Sequence, residues 1–105
     1  MSTTTASELA GPRRDDLRIE TVFHALSDPV RLQIVRALAD AAGPLACGTL
    51  SLPVSKSTVS HHFRVLREAG VIAQRDEGRR RLSELRRDDL DARFPGLLAT
   101  VTAPH

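Results

Sequence analysis

The chain has no Trp, no Tyr, three Phe and a single Cys among its 105 residues. With aromatics this scarce, the core has to be built from Leu, Val, Ile and Ala, which suits packed helices. The lone Cys47 excludes an intramolecular disulfide and a two-cysteine switch within one subunit, and its default role is that of a small buried apolar residue. No apolar run is long enough for a membrane span and no stretch reads as a secretory signal, so no membrane partner is expected and the expected compartment is the cytoplasm. A Gly-rich phosphate loop and a metal triad are both missing, and Ser60-His61 adjacency on a helix cannot present a nucleophile to its base. A chain of this length makes one small module and is short for an enzyme with a deep cleft; it is read as non-enzymatic, with no cofactor and no metal site.

What the chain does have is segregated positive charge. The formal net charge is only +2, yet residues 56–87 hold nine Lys or Arg against four acids, a local balance of +5 that leaves the remainder at −3. Concentrated cations of this kind suit a polyanion, because phosphate binding gains from local cation density and counterion release.

That basic third opens on KSTVSHHFRVLREAG, residues 56–70. At 3.6 residues per turn Val59, His62, Phe63, Leu66 and Gly70 fall on one side, and Ser57, Ser60, His61, Arg64 and Glu68 on the other. Ser57 or Thr58 supplies an N-cap hydroxyl, and Gly70 tolerates the left-handed conformation that stops a helix. The exposed side carries hydroxyls, an imidazole and an arginine, with no acid before Glu68. Such a surface fits the DNA major groove, where donors meet base edges and phosphates. His61 and His62 diverge by about 100° and do not chelate together.

Upstream, residues 1–14 are small and polar with no apolar period and are read as a disordered tail, leaving one domain over 15–105. Ile19, Val22, Phe23 and Leu26 form one stripe of an amphipathic helix, with His24 opposite. Asp28 and Pro29 start a second helix through Ala42, apolar on most sides, in which Arg31 falls inside the apolar sector and needs a carboxylate or a helix-end carbonyl as partner. Leu50, Leu52 and Val54 should point inward from a short turn around residues 46–50, so that the order is helix, turn, recognition helix. Downstream, VIAQR and RRLSEL read as two strands joined at Asp76-Glu77-Gly78-Arg79, a wing tipped with arginines. Leu90, Phe94, Leu97, Leu98 and Val101 then share a face across Pro95, which kinks or restarts the helix; so small a monomer has little core left to cover that face, and a dimer interface is its economical use. The fold class expected is mainly α with a small two-stranded β-wing.

The segments FHALSDPVRLQIVRAL and SKSTVSHHFRVLREAGVI and the EGRR turn, taken together, resemble the ArsR/SmtB family of bacterial winged-helix repressors, over about residues 17–100. The resemblance implies a homodimer, paired through its first and last helices, that binds a partly palindromic operator on double-stranded DNA and represses transcription until an effector releases it. The DNA-facing positions it implies are Lys56, Ser57, Thr58, Ser60, His61 and Arg64, with Arg79 and Arg80 on the wing. Val22 and Phe23 would join Leu90, Phe94, Leu97, Leu98 and Val101 at the dimer contact. Metal sensing in the family uses paired cysteines before the recognition helix or carboxylate and histidine ligands on the last helix. Here those places hold only Cys47, and Asp88, Asp89 and Asp91 with the distant His105, so the effector is left unspecified. The competing reading is a winged-helix module that binds protein instead of DNA; aromatic or aliphatic anchors in place of Ser57, Thr58, Ser60 and His61 would have favoured it.

Overall fold

A computed structural model describes residues 6–103, and the helices follow from their ends inward. Helix α1 spans Ile19–Leu26 and α2 spans Pro29–Asp40. Between them Asp28 accepts hydrogen bonds through Oδ1 from the backbone N–H groups of Val30, at 2.8 Å, and Arg31, at 3.1 Å. Pro29 occupies the first helical position, where a missing N–H leaves nothing unsatisfied. The second helix stops at Asp40, two residues short of the expectation.

Helix α3 spans Lys56–Ala69. Its N-cap is Ser55, not Ser57 or Thr58: Ser55 Oγ accepts from the Thr58 N–H at 3.3 Å. Three-residue spacing from hydroxyl to N–H is the normal capping reach, and it places the start of the helix one residue before the hydroxyls that sequence favoured. The C-terminus closes as expected at Gly70, in the left-handed region with φ +86°. Gly70 N–H donates to the Arg67 carbonyl and Val71 N–H to the Leu66 carbonyl, both at 3.0 Å, which is the Schellman pairing.

The wing hairpin is formed by β3 (Ile72–Glu77) and β4 (Arg80–Leu85), antiparallel with Glu77 opposite Arg80. Its loop is two residues, Gly78-Arg79, tighter than the four-residue connection expected. Gly78 alone carries positive φ there, +63°, as a type II′ turn requires. Two short strands widen the hairpin to a sheet of order β1-β3-β4-β2, with β1 at Ala6–Glu8 and β2 at Leu45–Ala46. A single 3-10 turn, Cys47–Thr49, is all the helix that precedes α3 in that connection. Leu50, Leu52 and Val54 are half-buried along it.

The expected tail over residues 1–14 is corrected from Ala6 onward; residues 1–5 lie outside the described part. Strand β1 is held by backbone pairing to β3, a kind of order that leaves no apolar period in the sequence. Beyond it Arg86 Nη1 donates to the Pro12 carbonyl at 2.6 Å, Arg14 Nε pairs with Asp89 at 2.6 Å, and Leu17 is buried in the core. The C-terminal segment is two helices, α4 (Arg87–Arg93) and α5 (Leu97–Thr102), broken at Phe94-Pro95-Gly96. The break lets α5 fold back on α2, where Arg36 Nε donates to the Val101 carbonyl at 2.9 Å. Folding back changes the expected interface: Leu90 and Leu98 are buried in this chain's own core, and so is Val22 on α1. Phe94, Leu97 and Val101 are half-buried against that core, with Arg93 stacked over the Phe94 ring at 5.6 Å. Of the expected set only Phe23 is well exposed, at 56%, joined by Ile19 at 37%.

Candidate nucleic-acid interface

The chemistry of the α3 surface is set by which side chains its amphipathic register leaves outside. His62, Phe63, Leu66 and Ala69 face the core, while Lys56, Ser57, Ser60, His61 and Arg64 are exposed. Thr58 departs from the expectation. It is half-buried and its Oγ1 accepts from Ser55 Oγ at 3.0 Å, so it serves the helix start instead of the open surface. At 14 residues and about 1.5 Å per residue, α3 is roughly 21 Å long, enough to lie along a major groove with its N-terminal half leading. No acid stands on that half, and the first turn holds none.

At the wing, charge is sorted by pairing. Arg81 lies across from Asp76 and donates to both its carboxylate oxygens, at 2.7 and 3.1 Å. That hydrogen bond holds the Asp76 carboxyl below its ordinary range and raises the guanidinium. Arg75 is shared between Glu77, at 3.7 Å, and Glu84, at 3.5 Å. Arg79 and Arg80, at the turn, are exposed and have no carboxylate partner among the described residues. The cations free to meet a polyanion on this side are therefore Lys56, Arg64, Arg79 and Arg80.

Helix and wing are joined by a buried polar chain that sequence reading missed. Arg67 Nη1 donates to Gln74 Oε1 at 2.9 Å, and Gln74 Nε2 donates to Ser83 Oγ at 2.9 Å. Cys47 Sγ lies 3.7 Å from both Gln74 Nε2 and Ser83 Oγ, so the half-buried thiol sits in polar company. The signal was available: Gln74 follows Ile72 by two residues and shares its inward face, where a polar side chain must find partners. An open cleft of about 360 Å³ separates this chain from the leading face of α3 and is lined by Ser57, Ser60, His61, Arg64 and Arg81.

Residues 26–75 match the family model described as a helix-turn-helix domain. The uncharacterized HTH-type transcriptional regulator YceK of Bacillus subtilis is 39% identical over 89 residues, covering 83% of this chain and 88% of that protein. The chain belongs to the ArsR/SmtB-like winged-helix transcriptional regulators. The regulator is also 43% identical over 68 residues to the HTH-type transcriptional regulator Rv2034 of Mycobacterium tuberculosis, covering 63% of this chain and 62% of the relative. The transcriptional repressor SdpR of Bacillus subtilis is 34% identical over 62 residues, covering 57% of this chain and 67% of that one. This regulator is thus a DNA-binding protein by family. Among its described residues no helix is long and apolar enough to cross a membrane.

Proposed function

We propose that the protein is a homodimeric repressor that reads a partly palindromic operator with α3 and grips the flanking backbone with its wing. The observation that carries this is the stretch of α3 before Glu68, which holds no acid and leaves Ser57, Ser60, His61 and Arg64 exposed on one side. Hydroxyls, imidazole and guanidinium are the donors that base edges and phosphates accept. Lys56 at the helix start and Arg79 and Arg80 at the wing tip are the phosphate-binding cations. Repression is supported by the likeness to SdpR, itself named a transcriptional repressor. Dimerisation uses the exposed Phe23 and Ile19 of α1 with the outer edges of Phe94, Leu97 and Val101, since a ring as exposed as Phe23 gains by burial against a second copy.

Fluorescence anisotropy with a fragment from upstream of the protein's own gene, against an unrelated fragment and across salt concentrations, tests the proposal. Preference for its own fragment, with affinity falling as salt rises, is the expected result. Equal affinity for both fragments would remove sequence-specific readout there, and no binding to either would leave the protein-interaction reading in its place.

A further inference from the structure

Two side chains with no place in the exposed set meet where α1, α2 and α3 converge. Arg31, in the first turn of α2, and His62, on α3, are each only 8% exposed. Arg31 Nε donates to the Ala25 carbonyl at 2.6 Å and Nη2 to the His24 carbonyl at 3.4 Å. These carbonyls belong to the last turn of α1, where intrahelical partners run out. The third arm, Nη1, lies 3.0 Å from His62 Nδ1. A guanidinium can only donate, so in this contact Nδ1 is the acceptor. Nε2 in turn faces Asp28 Oδ1 at 4.0 Å, the same oxygen that caps α2. On its own helix the other ionisable neighbour is His61, with ring centroids 5.8 Å apart.

One buried cation thereby ties the end of α1 and the start of α2 to the middle of α3. The rest of the attachment of α3 is the apolar packing of Phe63, Leu66 and Ala69, which resists separation but has little directional preference, and the Arg67–Gln74 hydrogen bond near its C-terminal end, so the Arg31–His62 contact is the directional tie beside the exposed Ser60, His61 and Arg64. A hydrogen bond is directional, and this one fixes how far α3 is rotated about its axis. His62 stands between His61 and Phe63 in sequence, so a rotation at His62 swings Ser60, His61 and Arg64 with it. We infer that Arg31 and His62 are positioning residues for DNA readout, and that the feature required of residue 62 is an acceptor at the place of Nδ1. The inference rests on α3 being the helix that reads bases. Base readout demands placement within about 0.5 Å, whereas phosphate contacts tolerate more; loss of the pair should therefore cost preference before it costs general affinity.

The experiment compares His62→Asn, whose side-chain oxygen falls near the place of Nδ1, with His62→Gln, whose amide reaches the place of Nε2, and with Arg31→Lys, all in the full chain. Anisotropy is measured on the protein's own upstream fragment and on unrelated DNA, alongside thermal unfolding. His62→Asn is expected to keep its preference within roughly threefold, while His62→Gln and Arg31→Lys lose it by roughly tenfold or more, the worth of one hydrogen bond to a charged group. Binding to unrelated DNA should stay within about twofold in all three. Equal behaviour of the two His62 variants overturns the inference, as does a loss that falls equally on both fragments. Nitrogen NMR of the imidazole in wild-type protein is expected to show Nδ1 unprotonated, and a proton there overturns the pairing. A wild-type protein with no preference would instead overturn the reading of α3, and the tautomer would still decide the Arg31 contact.

Discussion

Replacing Gly70 with Ala isolates the point at which α3 is stopped and turned into the wing. A Cβ there would stand 2.1 Å from Leu17 Cδ2 and 3.0 Å from Pro12 Cγ, at a backbone φ of +86°. Two costs combine. The left-handed conformation is worth about 1–2 kcal/mol against a non-glycine residue, and a core overpacked by one methyl adds about 1–3 kcal/mol. Leu17 cannot swing aside cheaply, because it is among the most buried side chains of the chain. The expected loss is therefore about 2–5 kcal/mol, which for a domain of this size lowers the unfolding midpoint by about 10 °C or more. Circular dichroism on heating measures it. Gly43→Ala is the control, since nothing lies within 4 Å of its Cβ position and its φ is not positive; it should be neutral or slightly stabilising. In a Leu17→Ala background the 2.1 Å clash is gone and only the 3.0 Å approach to Pro12 Cγ remains, so Gly70→Ala should cost little more than the backbone part, about 1–2 kcal/mol. A midpoint within about 4 °C of wild type for Gly70→Ala alone, equivalent to less than about 1 kcal/mol, would refute the reasoning.

The carboxyls of Asp28, Asp76 and Asp89 are all held below their ordinary range, by backbone N–H donors at Asp28 and by arginines at the other two. Their stabilisation is complete above the unfolded carboxyl value of about 4 and is lost as pH falls through the lower native values; Asp28→Ala, which also removes the α2 cap, should lower the unfolding midpoint at neutral pH and flatten its decline in acid. Phe23→Asp should give monomers in sedimentation and much weaker operator binding without loss of fold, and an unchanged dimer would move the contact off α1. With Lys56, Arg64, Arg79 and Arg80 as the free cations, log K against log salt should have a slope of about −7 for a dimer, and Arg79→Ala should make it shallower by roughly one for each half-site while weakening all sequences alike.

The elements that sequence made legible are those governed by local rules. Asp28-Pro29 announces a helix start, Gly70 a stop, Gly78 a hairpin, and the 3.6-residue spacing of His62, Phe63 and Leu66 the inner face of α3. Arg31 was legible as a charge in an apolar sector needing a carboxylate or a helix-end carbonyl, and two carbonyls at the end of α1 meet it; the ring 31 residues away that takes its third arm was not legible. Strand β1 and the burial of Leu90 and Leu98 were not legible. The first depends on backbone pairing to a strand about 70 residues distant. The second depends on the break at Phe94-Pro95-Gly96, which turns a stripe that looks unpartnered into one that packs on α2. Periodicity reports that a face is apolar and is silent on whether the same chain or a second copy covers it.

Charge shows the same division between composition and placement. The basic third of the chain carries an excess of five, yet most of its cations are engaged within the protein. Arg67 serves Gln74, Arg75 and Arg81 serve acids of the wing, Arg86 serves Asp89 and the Pro12 carbonyl, and Arg87 serves the Leu38 and Ala39 carbonyls at the end of α2. An arginine held on a carbonyl or carboxylate is oriented by that bond, and turning it to a phosphate would forfeit a charge-assisted hydrogen bond. The engaged arginines therefore build the frame, and the four left free stand on the exposed side of α3 and at the wing tip. A polyanion footprint counted from sequence takes in nine cations where the fold leaves four free, because sequence gives the density of charge and only the fold decides which charges are already satisfied.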